Sequence, residues 1–122
     1  MKQEQNIKAV LFDLGSTLIY FDSTWPEVTD EANQALAGAL RQQGFDHDID
    51  EIIREYRQRV RAYQEQESID FREFTAQFVL RSVLAERGYP EVPDDRLVPV
   101  LKETFAVSQA HWQPEADTIP TL

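Results

Sequence analysis

Cysteine is absent from the 122 residues, which excludes disulfide staples, thiolate metal sites and cysteine nucleophiles, and fits a reducing compartment. Histidine is nearly as scarce: His47 and His111 stand far apart with no ligand cluster between them, so a histidine metal pair is not expected. Basic side chains are also in short supply. Twelve Lys plus Arg face twenty-two Asp plus Glu, a formal net charge of -10, and the negative potential that follows makes nucleic acid and anionic membrane poor partners. No apolar run is long enough to span a bilayer, and the polar stretch Met1 to Asn6 with its short apolar sequel is not a signal peptide. Internal repeats and low-complexity tracts are missing too. A soluble, cytoplasmic protein with no nucleic-acid or membrane partner is expected.

What is present is a hydrophobic share of 42%, enough for one modest core. Ile7 to Phe12 is a short, nearly continuous apolar run, the pattern of a strand buried on both faces of a parallel sheet. Asp13-Leu14-Gly15-Ser16-Thr17 follows, with the glycine and small hydroxyl residues of a tight turn. Helical periodicity then takes over. The first helix opens after Thr24 with Pro26 in its first turn, carries the stripe Val28, Ala32, Ala35, Leu36, Ala39 and Leu40, and ends near Gly44. A second, flagged by Asp48 or Asp50, repeats Ile49, Ile52, Ile53, Tyr56, Val60 and Tyr63. A third runs from an Asp70 cap with Glu73 three positions on, through Phe71, Phe74, Phe78, Val79, Val83 and Leu84, to Gly88. A fourth, capped by Asp94 or Asp95, carries Leu97, Leu101 and Phe105, and Pro99 predicts an irregular start. Trp112 to Leu122, with Pro114 and Pro120, reads as a connector. No second strand is evident, although a buried strand needs neighbours for its backbone hydrogen bonds.

Asp13 falls at the carboxyl end of the predicted strand, where open α/β sheets hold their ligands. An unprotonated aspartate there can attack phosphorus or carbon to form an ester that water later cleaves. Amides of Leu14, Gly15 and Ser16 in a tight turn would make a small anion-binding cup, and a hard divalent cation beside Asp13 would offset carboxylate–phosphate repulsion. Leu14, Ser16 and Thr17 are the positions expected to hold substrate. The bland alternative is an ordinary turn capped by Ser16 and Thr17; the strand before it and the helices after it favour chemistry.

The segment Lys8-Ala-Val-Leu-Phe-Asp-Leu-Gly-Ser-Thr-Leu18 resembles the first motif of the haloacid dehalogenase-like hydrolase superfamily, and Thr24 to Trp112 resembles the helical cap that one branch places just after it. The resemblance implies an α/β fold, in which 1–22 supply the first strand and nucleophile loop of a Rossmann-like core. Residues 23–112 would form a cap of about four helices and 113–122 a connector returning to the core, so that this chain is itself mostly α. It further implies that Asp13 is the nucleophile and a Mg2+ ligand, that the Gly15 carbonyl is a second ligand, and that Thr17 supports the loop. The implied activity is hydrolysis of a small phosphorylated metabolite through an aspartyl-phosphate. Most phosphatases of the family carry a second aspartate where this chain has Gly15, and glycine cannot donate a proton to the leaving oxygen. Carbon–halogen hydrolysis is therefore a rival, and a non-catalytic helical interaction module is another. The later family motifs, a Ser or Thr, a Lys and acidic metal ligands, cannot be assigned; the chain is read as an N-terminal portion, inactive alone.

Other candidates are weaker. Asp46, Asp48, Asp50 and Glu51 around His47 lack the glycine and glutamate spacing of a calcium loop and read as a solvated loop. Arg54, Arg57, Arg59 and Arg61 read as a salt-bridged solvent face. Tyr20, Phe21 and Trp25 suit either a substrate entrance or packing, and Asp22 is assigned no catalysis.

Overall fold

Apolar side chains recurring every three or four residues force helices together, because each stripe leaves water only against another stripe. The computed structural model describes residues 6–70 and 75–122, with the backbone alone for 67–70. Its elements are β1 (Ile19–Phe21), α1 (Trp25–Gln42), α2 (Ile49–Asp70), α3 (Ala76–Glu86), α4 (Asp94–Gln109), β2 (Trp112–Pro114) and a single turn, α5 (Thr118–Thr121). The described chain is mostly helical, and none of its helices is long and apolar enough to cross a membrane.

Helix ends follow local chemistry. Pro26 lies in the first turn of α1, where its missing N–H costs nothing, and Gly44 closes the helix at φ 86° so that the Phe45 amide can reach the Leu40 carbonyl at 3.0 Å. Asp48, at φ 56°, starts α2 by giving its carbonyl to the Ile52 amide at 2.9 Å. The expected Asp70 cap is not used: α2 continues to Asp70, and Thr75 caps α3 by accepting the Phe78 amide at 3.1 Å. A hydroxyl three residues before that amide satisfies it as an aspartate would. Phe71, Glu73 and Phe74, also assigned to this helix, lie outside the described residues. The irregular start expected of α4 is not found either. Asp94 and Asp95 lie in its first turn rather than capping it, and the helix runs unbroken through Pro99, whose exposed position lets water reach the carbonyl that the ring leaves unbonded.

One core results. Leu36 and Leu40 of α1, Phe45, Ile52 and Tyr56 of α2, Leu80, Val83 and Leu84 of α3, and Leu97 and Val100 of α4 are all buried within it, α1 lying chiefly along α4 and α2 along α3. Ion pairs clasp the edges: Arg87 of the α3 terminus reaches Glu51 at 2.5 Å and Glu55 at 3.1 Å, and Arg59 pairs with Glu86.

The strand expectation is overturned. Ile7 to Phe12 forms no strand, and Ile7, Val10 and Leu11 are exposed. A lone apolar run has no ladder to join, and its backbone stays hydrated instead. The sheet lies elsewhere. β1, just after the Asp13 loop, pairs antiparallel with β2, inside the segment read as a connector, in the register Ile19↔Pro114, Tyr20↔Gln113 and Phe21↔Trp112. This ribbon closes the helical block by joining its entry to its exit.

Candidate functional site

Asp13 sits in the turn ahead of that ribbon. The Leu14 carbonyl accepts the amides of Thr17, Leu18 and Ile19 at 3.4, 3.0 and 3.1 Å, and the Ser16 amide donates to the Ile19 carbonyl at 2.8 Å. Ser16 takes φ 63°, a left-handed geometry that residues other than glycine adopt uncommonly. The Thr17 hydroxyl donates to Asp13 Oδ2 at 3.3 Å. The expected cup of three amides is reduced, since Ser16 spends its amide inside the turn; those of Leu14 and Gly15 take no part in the turn's backbone bonds. Asp13, Leu14, Gly15, Ser16 and Thr17 are all exposed, and none lines the cavities described below.

The loop is tied down from the far end of the chain. The Leu18 carbonyl accepts both the Glu115 amide at 2.9 Å and the Thr118 hydroxyl at 2.5 Å, and Thr118 is buried. Across the ribbon the Asp22 amide donates to the His111 carbonyl at 2.9 Å. The His111 ring then spans two acids, with Nδ1 2.7 Å from Asp22 Oδ1 and Nε2 3.5 Å from Glu31 Oε2. The Asp22 hydrogen bond raises the His111 pKa above its ordinary value, and Glu31 adds to the effect. Phe21 stacks on Trp25 with centroids 4.3 Å apart, and Trp112 lies 5.2 Å from Phe21 on another side. By sequence His111 reads as a surface or helix-end residue, and it follows the C-cap of α4. Its partnership with Asp22 spans 89 positions, and no local pattern marks it.

A second constellation lies within the helical block. A cavity of about 380 Å3 is walled by Trp25, Val28, Tyr56, Val60, Val79 and Phe105, with Arg57 in its lining. Arg57 is not the solvent-face residue expected of it. Its Nε donates to Asn33 Oδ1 at 2.6 Å, while Nη2 is shielded from solvent without a hydrogen-bond partner. Burial lowers its pKa and raises that of neighbouring Tyr56. The signal was available: Arg57 comes four residues after Ile53 and three before Val60, in phase with the buried stripe. Asp46, His47, Asp48, Asp50 and Glu51 of the acidic patch are all exposed. Compared with known proteins, the chain matches no protein-family model, no curated protein and no solved structure.

Proposed function

We propose that the chain carries the nucleophile loop and the helical cap of a haloacid dehalogenase-like hydrolase, a Mg2+-dependent phosphatase acting on a small phosphate ester. The observation that supports this reading best is the built turn at Asp13: three amides gathered on the Leu14 carbonyl and the Thr17 hydroxyl on one carboxylate oxygen hold the side chain at the head of the ribbon that opens the helical block. In the proposed reaction an Asp13 oxygen forms a bond to phosphorus as the phosphorus–ester oxygen bond breaks, and the alcohol leaves with a proton from water because Gly15 has none to give. Water then attacks the aspartyl-phosphate, releasing inorganic phosphate and restoring Asp13. Asp13 and the Gly15 carbonyl, which accepts none of the turn's backbone bonds, offer two hard oxygens, a set that suits Mg2+ completed by water and substrate. When bound there the ion would offset the repulsion between carboxylate and phosphate. The helical block would serve to shield the reaction from water.

The test is Mg2+-dependent release of phosphate from a panel of phosphate esters, and of halide from 2-haloacids, by the full-length gene product and its Asp13→Asn variant. Asp13-dependent phosphate release supports the phosphatase, and Asp13-dependent halide release the dehalogenase rival. If neither appears, the enzyme reading falls and a helical interaction module remains, a reading favoured by the exposure of Ile7, Val10, Leu11 and Leu14 beside Asp13. The 122 residues alone are expected to hydrolyse neither class, since Thr17 is the only described side chain bonded to Asp13 and a nucleophile without cationic neighbours lacks most transition-state stabilisation.

A further inference from the structure

We propose that Arg57 and the cavity beside it bind an organic oxyanion, a carboxylate or phosphate carried on an apolar body. The inference stands apart from the chemistry at Asp13 and does not depend on it.

In a chain of twenty-two acidic side chains, a half-buried arginine should find a carboxylate without difficulty. Arg59 and Arg87 do, pairing with Glu86, Glu51 and Glu55, and Arg96 gives its guanidinium to the Gln43 carbonyl. Arg57 has no carboxylate among the described residues; its one hydrogen-bond partner is the neutral Asn33 amide oxygen, and Nη2 is left shielded and unbonded. Withdrawing a cation from water without a counter-charge is costly, and a position serving packing alone would be better filled by leucine or methionine. The guanidinium therefore reads as a group whose partner is supplied by something else.

The cavity describes that partner. Its volume, about 380 Å3, lies in the small-molecule range. Trp25, Val28, Tyr56, Val60, Val79 and Phe105 offer apolar and aromatic wall, which calls for an apolar body. The hydroxyls that also line it are partly committed: Thr104 donates to the Val100 carbonyl at 2.8 Å and Ser108 to the Phe105 carbonyl at 3.1 Å. Among the described residues Arg57 is the one cation in the lining, and its planar fork matches an oxyanion with two oxygens. Asn33 holds the guanidinium by Nε, and Nη2, unbonded and closed to solvent, would have to turn for an anion in the cavity to reach it.

The experiment titrates the 122-residue chain with phenylacetate, phenyl phosphate, inorganic phosphate and the neutral phenylacetamide. Binding is followed by calorimetry and by the NMR resonance of the Arg57 Nε–H. The expected result is that at least one aromatic anion binds and moves that resonance, whereas the amide and inorganic phosphate bind at least about tenfold more weakly, the loss expected for a hydrogen bond to a charged group or for the apolar contact. Preference between the two aromatic anions distinguishes carboxylate from phosphate. Arg57→Gln should weaken the preferred anion by at least about tenfold, Arg57→Lys should recover part of the loss, and Arg61→Gln should change nothing. The proposal is overturned if no anion binds, if the amide binds as well as the anions, or if anions bind without moving the Arg57 resonance. Because that resonance is read in the unaltered chain, the outcome does not depend on Arg57→Gln folding.

Discussion

Two leucines of the same chemistry occupy opposite extremes of this structure, and replacing each tests where the stability lies. Leu36 is 0% exposed between α1 and its neighbours, whereas Leu11, in the apolar run ahead of Asp13, is 97% exposed. Leu36→Ala removes buried methyl and methylene groups and leaves space that rigid helices cannot fully close, a loss of about 2–5 kcal/mol. Against a total stability of roughly 5–15 kcal/mol for a domain of this size, the variant should remain folded but much weakened. Leu11→Ser removes no buried surface and should change stability by less than about 0.5 kcal/mol. Urea unfolding followed by far-ultraviolet circular dichroism reads both. With a denaturant slope of about 2 kcal/mol/M the Leu36→Ala midpoint should fall by roughly 1–2.5 M, at unchanged slope, and that of Leu11→Ser should stay in place. The reasoning is refuted if Leu36→Ala costs less than about 1 kcal/mol, or if Leu11→Ser costs more than that, because the first outcome denies the core and the second buries the segment described as exposed.

Other expectations follow from single contacts. Thr75→Ala deprives the Phe78 amide of its acceptor and should cost about 1 kcal/mol, with Thr75→Asp close to wild type, both measurable in the same denaturation assay. His111, held by Asp22 and then Glu31, has a folded pKa above its ordinary value of 6.5, so its stabilising effect is complete below that value and is lost as pH rises through the folded pKa. Melting temperature should therefore decline over that upward window, and His111→Gln should flatten the decline; an unchanged slope in the variant would remove His111 as its source. Asp13→Asn should leave the melting temperature of the 122-residue chain within the error of a surface change, since Asp13 is exposed with one long bond to Thr17. On the proposed phosphatase function, the same substitution in the full-length gene product should abolish phosphate release.

Much of the helical block is legible in the sequence. Val28, Ala32, Leu36, Ala39 and Leu40 recur on one face of α1, and Ile49, Ile52, Ile53 and Tyr56 on one face of α2; all nine are buried. Gly44 and Gly88 stand at positive φ beyond the ends of α1 and α3, where a glycine is least strained. The tight turn after Asp13 is also legible, from Gly15 and the small hydroxyl residues beside it. Errors arose where one local signal had two readings. Asp70 and Thr75 both look like helix caps, and the choice rested on how far α2 continued. Ile7 to Phe12 reads as a strand by composition, but a strand exists only with a partner. Arg57 looks like a solvent residue beside Arg54, Arg59 and Arg61, although it keeps the phase of the apolar stripe.

Sequence alone thus determined what depends on neighbours three or four positions away: the helical periods, the turns and the absence of cysteine chemistry. Tertiary structure decided what depends on residues far apart. It paired Ile19–Phe21 with Trp112–Pro114, put His111 between Asp22 and Glu31, and turned Arg57 toward Asn33 beside an apolar cavity. Local spacing fixes which face a side chain occupies on its own helix, whereas its partner is fixed only when several helices pack and each closure between distant segments is compensated by what it buries.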